Sequence, residues 1–197
     1  MANVSKISGF KPVKHLNGSP YNGQFNLYEV VAGDATNLMI GDLVKADNGT
    51  ATDVYPTCVR HGTSGEVTSG AVLGAVVGFV VSPTSLDTPQ YRVGSTKRYA
   101  MVADAPDLIF ECEDGATTPT TATLIGMNCG FMATAGSTTT GASGMTTGTT
   151  TATTTSTLPL RIVGIVNRAD NTSGSAYQKL LVMINVHQLN SVGTTGV

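Results

Sequence analysis

The chain has no tryptophan, and its 197 residues include only 6 tyrosines and 5 phenylalanines. Aromatic platforms of the kind that stack sugars or bases are therefore scarce. Charge is scarce as well. Lys and Arg number 11, Asp and Glu 13, and together they make up 12% of residues, about half the share in an average soluble domain. The formal net charge is −2 and the isoelectric point about 5.8. This leaves no basic face of the sort that nucleic-acid recognition demands. Lys97-Arg98 is the one adjacent basic pair.

Cysteine is limited to Cys58, Cys112 and Cys129. The number is odd and the spacings are wide, so neither a disulfide framework nor a zinc pattern is present. Long apolar runs are missing too. The longest, Ala71–Val81 (AVLGAVVGFVV), falls well short of the roughly 20 residues of a membrane span. Its Gly70, Gly74 and Gly78 imitate a G-x-x-x-G spacing, but the valines favour one or two buried strands. Met1–Gly18 mixes Lys6, Lys11 and Lys14 with Ser and Gly, and does not read as an export signal. No membrane association is expected.

Helical periodicity is the last absence. No segment carries apolar residues at i, i+3, i+4 and i+7 over three turns. What is present is β-prone. Gln24–Val31, Val54–Arg60, Tyr91–Val93, Tyr99–Ala103, Leu108–Cys112, Leu160–Val166 and Leu180–Val186 are short and rich in β-branched or aromatic residues. Alternation in the first places Phe25, Leu27 and Val31 on one face. Asn17-Gly18, Asn22-Gly23, Asp47-Asn48-Gly49, Ser82-Pro83 and Asp114-Gly115 supply the turns between such stretches. The pattern predicts an all-β protein, a β-barrel or sandwich of jelly-roll-like or small-barrel type.

Two segments stand apart. Residues 1–16 carry Val4, Ile7, Phe10, Val13 and Leu16 at intervals of three, but Gly9 and Pro12 interrupt any helix. An extended N-terminal arm is expected, with the apolar residues laid into a neighbour's groove and Lys6, Lys11 and Lys14 facing acidic surface. The β domain then covers 17–197. Within it, Ala116–Thr157 holds 18 threonines, and Gly115–Leu160 has no charged side chain. This Thr/Gly-rich loop, including Thr138, Thr139 and Met145, can approach another chain without the cost of burying charge. Both segments are expected to be intermolecular contacts, mobile in the free protein and ordered in an assembly.

Chemistry is hard to find. Cys58 and His61 share the segment CVRH, but a thiol nucleophile also needs a base and an orienting group in reach. A surface His beside a buried Cys is the plainer reading. Asp104, Asp107, Glu111, Glu113 and Asp114 form an acidic cluster. Alternation puts Glu111 and Glu113 on one strand face, where a pair of carboxylates serves acid–base work or a hard cation. The ECEDG segment instead reads as a strand running into a turn with solvated acids. No phosphate loop, nucleophile elbow or EF-hand pattern occurs. Neither a cofactor nor a metal is expected, and an enzyme is the weakest of the function classes.

A family resemblance adds direction. Tyr91-Arg92-Val93, then Tyr99–Asp104 (YAMVAD), Pro106-Asp107 and Phe110-Glu111 resemble a segment in virion structural proteins of tailed bacteriophages, among them head decoration or cement proteins. Leu160–Asn171 (LRIVGIVNRADN) and Leu181–Gln188 (LVMINVHQ) form the second match, and a threonine-rich stretch lies between the blocks in that group too. Asn167, Ala169 and Val186 depart from its pattern. The resemblance spans roughly Tyr91–Gln188, about half the chain. It implies a protein of the capsid exterior that binds the major capsid protein, self-associates as a dimer or trimer, and carries no catalytic site. The alternative from another class is a virion fibre or adhesin-like domain binding glycan through Thr- and Asn-rich loops.

Overall fold

Short β-prone stretches punctuated by turn residues dictate strands, and the computed structural model of the chain is almost entirely β. The structure describes residues 3–47, 51–81, 87–150 and 152–189. Its strands are β1 (Lys11–His15), β2 (Asn26–Val30), β3 (Leu43–Ala46), β4 (Cys58–Arg60), β5 (Glu66–Val67), β6 (Gly74–Phe79), β7 (Arg98–Ala103), β8 (Leu108–Glu113), β9 (Asn128–Cys129), β10 (Phe131–Met132), β11 (Thr146–Thr147), β12 (Leu160–Ile165) and β13 (Lys179–Ile184). A single 3-10 turn, Ala122–Leu124, is the one helical element among the described residues. Every pairing between these strands is antiparallel.

The strands form three sheets, ordered β1-β8-β13-β12-β9, β2-β7-β6-β3-β4 and β11-β10-β5. In the first, Leu180, Val182 and Ile184 of β13 are buried and alternate with half-buried Lys179, Leu181 and Met183, the period of a strand with one core face. Phe110 and Cys112 of β8 lie opposite Val182 and Leu180 and share one core with Leu160, Ile162, Phe10, Phe131 and Met145. The second sheet is buried on both faces. Leu43, Val72, Ala75 and Ala103 point into that core. Their neighbours Val44, Leu73, Val76 and Val102 point into a second one. Dual burial explains why residues 72–76 carry no polar alternation.

Closure of a barrel is not among the features of these strands. The second sheet comes nearest. It curls until Glu29 of β2 meets Thr57, just ahead of β4, in a single parallel bridge. There the Glu29 N–H donates to the Pro56 carbonyl at 2.8 Å.

Several expectations are corrected. Tyr28 and Val30, not Phe25 and Leu27, face the core from β2; Phe25 is 44% exposed. Tyr91–Val93 shrinks to an isolated antiparallel bridge between Arg92 and Leu38; Arg92 is wholly buried, and its guanidinium donates to the carbonyls of Val31, Asp34, Thr36 and Thr96. The sequence predicts an arm over residues 1–16 beside a β domain over 17–197. Instead Phe10 sits in the core at 1% exposure, and β1 pairs with β8 as an integral edge strand. Asn3–Phe10 precede the ladder, with Phe10 already buried. The 116–157 segment is likewise folded into the body, contributing β9, β10 and β11.

Candidate binding surface

The N-terminal and threonine-rich segments cross at the turn Ile40–Asp42. The Phe10 N–H donates to the Gly41 carbonyl at 2.9 Å, Ile40 N–H to Gly141 O at 3.0 Å, and Ser143 N–H to Ile40 O at 2.9 Å. Gly9 makes the approach possible. Its φ is +68°, and a Cβ there would stand 2.3 Å from Gly41 O and 2.5 Å from Ser143 Cβ. Beneath this crossing lies the Asp42 carboxylate, fully buried. It accepts the Ser143 hydroxyl at 2.6 Å, the Met39 N–H at 2.9 Å and the Arg60 Nε–H at 3.1 Å. Burial raises its pKa, more than Arg60 and these donors lower it. Arg60 in turn donates to the Thr134 carbonyl at 2.6 Å, tying in the start of the same segment.

Two further carboxylates anchor the threonines. Glu66 accepts the hydroxyls of Thr149 and Thr150 at 2.9 and 2.8 Å. Burial alone raises its carboxyl, but these hydroxyls and the Thr150 amide hold it below the usual range. Asp114 accepts the Thr147 hydroxyl at 3.1 Å, the Thr120 N–H at 2.7 Å and Gln178 Nε2 at 2.8 Å. Charge is absent from the loop because its charged partners sit on the body below.

The predicted contact residues separate into two sets. Val4 is 78% exposed, Ile7 and Val13 are partly open, Lys11 is exposed, and Lys14 is half-buried. Thr138 and Thr139 are exposed in the turn Ser137–Thr140, which is closed by the Gly141 N–H to Ser137 O at 2.8 Å. Phe10 and Met145 do not belong to any contact surface. Phe10 packs edge-on against Phe131, with centroids 6.4 Å apart. Met145 is fully buried, and its sulfur accepts the Leu43 N–H at 3.2 Å.

The candidate chemical groups are held apart. Cys58 is buried, and burial pushes its thiol up to about 12. His61 is buried as well, against the surface position expected, edge-on to the Phe131 ring at 5.3 Å. Burial, with help from Lys45, lowers its pKa to about 4. Both shifts oppose a thiolate–imidazolium pair. The acids are not a solvated cluster either. Asp104, Glu113 and Asp114 are buried. Asp104 accepts the Tyr28 hydroxyl at 2.6 Å, and Asp107 pairs with His15 at 3.0 Å. Glu111 and Glu113 do share one face of β8, where they meet Arg168 at 3.1 Å and Lys179 at 2.5 Å. Among the described residues no group of three or more His, Cys, Asp or Glu is placed to hold a metal.

Over that face runs a groove of about 520 Å³ between Val4–Lys11 and the Arg168–Lys179 connection. Tyr177 stands at its rim, half exposed and in the left-handed region at φ +60°. Sequence reasoning missed Arg168, Tyr177 and Lys179, and also Asp42, Arg60 and Ser143. The one signal for the last set was a pair of lone charges inside apolar stretches, MIGDLV and CVRHG. Comparison with protein families, curated proteins and solved structures finds no match to this chain.

Proposed function

We propose that the chain is a head decoration, or cement, protein of a tailed bacteriophage. It binds the outside of the capsid and bridges neighbouring copies of the major capsid protein, with self-association as a dimer or trimer adding to the lattice. One observation carries this reading. The uncharged threonine-rich segment is held down by buried carboxylates, Asp42 and Asp114, so that Ser137–Thr140 is presented as a fixed polar turn. A pre-ordered turn loses little conformational entropy on docking and has no charge to desolvate. The exposed apolar residues Val4, Ile7, Val13 and Phe25 offer further contact area. The resemblance of Tyr91–Gln188 to head decoration proteins points the same way.

The mechanism is thermodynamic. A protein that binds the assembled lattice and not its free subunits stabilises the lattice by mass action, and contacts to several subunits reinforce one another through effective concentration. The test is cosedimentation of the purified chain with heads lacking it. Binding is expected to saturate at the number of capsid subunits or a simple fraction of it, and the decorated heads are expected to resist heat better. Saturation at a few copies per virion would point to a fibre or adhesin-like glycan binder. No binding at all would remove the reading.

A further inference from the structure

We propose that the groove between Val4–Ser8 and the β12–β13 connection receives an extended acidic segment of a partner protein. Its charge is the first ground. The lining cations are Lys6, Lys11, Arg168 and Lys179, and the lining carboxylates are Glu111 and Asp170. Arg168 is committed to those two, at 3.1 and 2.8 Å. Lys179 is committed to Glu113 below the floor. Neither Lys6 nor Lys11 has a side-chain partner among the described residues. The groove therefore stays positive on a chain whose net charge is −2. A cleft of net positive lining favours an incoming ligand of opposite sign.

Shape and backbone select an extended peptide over a small anion. A volume of about 520 Å³ falls within the roughly 300–1,000 Å³ of ordinary ligand clefts. The N-terminal wall is itself extended chain, fixed by side chains and not by a ladder. Glu113 accepts the Lys6 N–H at 2.8 Å and the Ser5 hydroxyl at 3.0 Å, and Lys179 Nζ donates to the Lys6 carbonyl at 3.1 Å. Tyr177 at the rim supplies an aromatic contact on a strained backbone, a combination that clusters at binding sites.

The choice of a protein as partner rests on the decoration reading; the location and charge preference of the groove do not. The test uses the full chain and fluorescence anisotropy with short labelled peptides of equal length, one rich in Asp and Glu, one neutral and one rich in Lys. The acidic peptide is expected to bind about tenfold or more tighter than the neutral one, with affinity falling as salt rises. The double variant Lys6→Glu/Lys11→Glu abolishes that advantage. The milder Lys6→Gln/Lys11→Gln reduces it, and Lys45→Glu, an equal charge change elsewhere, leaves it intact. Equal affinity for acidic and neutral peptides, equal loss in the Lys45 variant, or displacement by inorganic phosphate as readily as by peptide would overturn the groove. Cosedimentation with heads separates the two claims. Head binding that neither the peptide nor the double variant disturbs overturns the groove and leaves the reading standing. Selective peptide binding by a chain that ignores heads does the reverse.

Discussion

The Ser143 hydroxyl donates to Asp42 Oδ1 at 2.6 Å across 101 positions of sequence, and this buried bond is one of several that hold the threonine-rich segment to the body. Ser143 lies inside an uncharged stretch, and Asp42 lies in the turn ahead of β3. Because the pair is buried, water cannot replace either partner once the other is gone. Ser143→Ala is expected to cost about 1–2 kcal/mol in denaturant unfolding. Asp42→Ala is expected to cost more, about 3–5 kcal/mol, because it strands the Arg60 guanidinium, whose side chain is 4% exposed. Hydrogen exchange over Gly136–Thr147 accelerates in both. Unchanged exchange there, with stability lost, would show that the segment is held by something other than this pair.

Glycine substitutions separate close approach from backbone conformation. Gly9 and Gly18 both have positive φ, +68° and +90°, but only at Gly9 would a Cβ strike neighbouring atoms; at Gly18 nothing lies within 4 Å. Gly18→Ala is expected to cost about 1 kcal/mol from the left-handed conformation alone. Gly9→Ala adds a clash with the Gly41 carbonyl and is expected to cost several-fold more. Thermal melts of the two variants side by side check the ranking.

The legible part of the fold was its class and its longer strands. β7, β8, β12 and β13 follow from β-branched or aromatic runs between turn residues, and β6 from an apolar run with both faces covered. β1 was not legible. Its residues, KPVKH, hold a proline and two lysines, which suit an edge strand as well as an arm. What decides between them is the pairing with β8, a contact far along the chain. The same holds for the binding surface. Thr138 and Thr139 are exposed as composition implies. Phe10 and Met145 are buried by partners that no local pattern names. The Lys6–Lys11 wall was visible as cationic, but its opposite wall comes from Arg168–Lys179, joined to it only by the sheet.

Acid is expected to weaken the protein through His61 and His187. The folded pKa of His61, about 4, lies below its ordinary 6.5. Above pH 6.5 the ring is neutral whether folded or not, and the full stability is present. Between 6.5 and about 4 the unfolded chain takes up a proton that the folded chain refuses, so stability falls as pH drops. The loss approaches about 3 kcal/mol by pH 4. His187, whose pKa burial also lowers, adds in the same direction. Denaturant midpoints measured across this window should slope downward toward acid. The slope should flatten in His61→Gln, and an equal slope in that variant would assign the effect elsewhere.

The thiols are expected to be inert in the native state. Cys58, Cys112 and Cys129 are all buried, and burial raises each above the ordinary thiol range. An alkylating reagent should therefore modify them only as fast as the protein opens, and at ordinary rates once it is denatured. Single replacements by Ala or Ser should lower stability by about 1–3 kcal/mol and leave head binding intact. Rapid native-state labelling of any one cysteine would identify a thiol with a role beyond packing.

Truncation at two points distinguishes a contact segment from a structural strand. Removing residues 1–8 takes away Val4, Lys6 and Ile7 and the bonds that Ser5 and Lys6 make to Glu113. It spares Phe10 and β1. The shortened chain should fold, with circular dichroism unchanged in shape, and bind heads more weakly. Removing residues 1–16 also deletes Phe10, a core residue at 1% exposure whose loss alone is expected to cost about 3–5 kcal/mol. It further strips β1 from β8 and bares the backbone of a strand that was interior to its sheet, a template for edge-to-edge aggregation. That chain should melt far lower or fail to stay monodisperse, so its failure to bind heads would say nothing about contact. A 1–16 deletion that melts within a few degrees of the full chain would show that β1 is dispensable to the fold. The 1–8 deletion reads out the contact: equal head binding and equal heat resistance of the heads would exclude residues 1–8 from it.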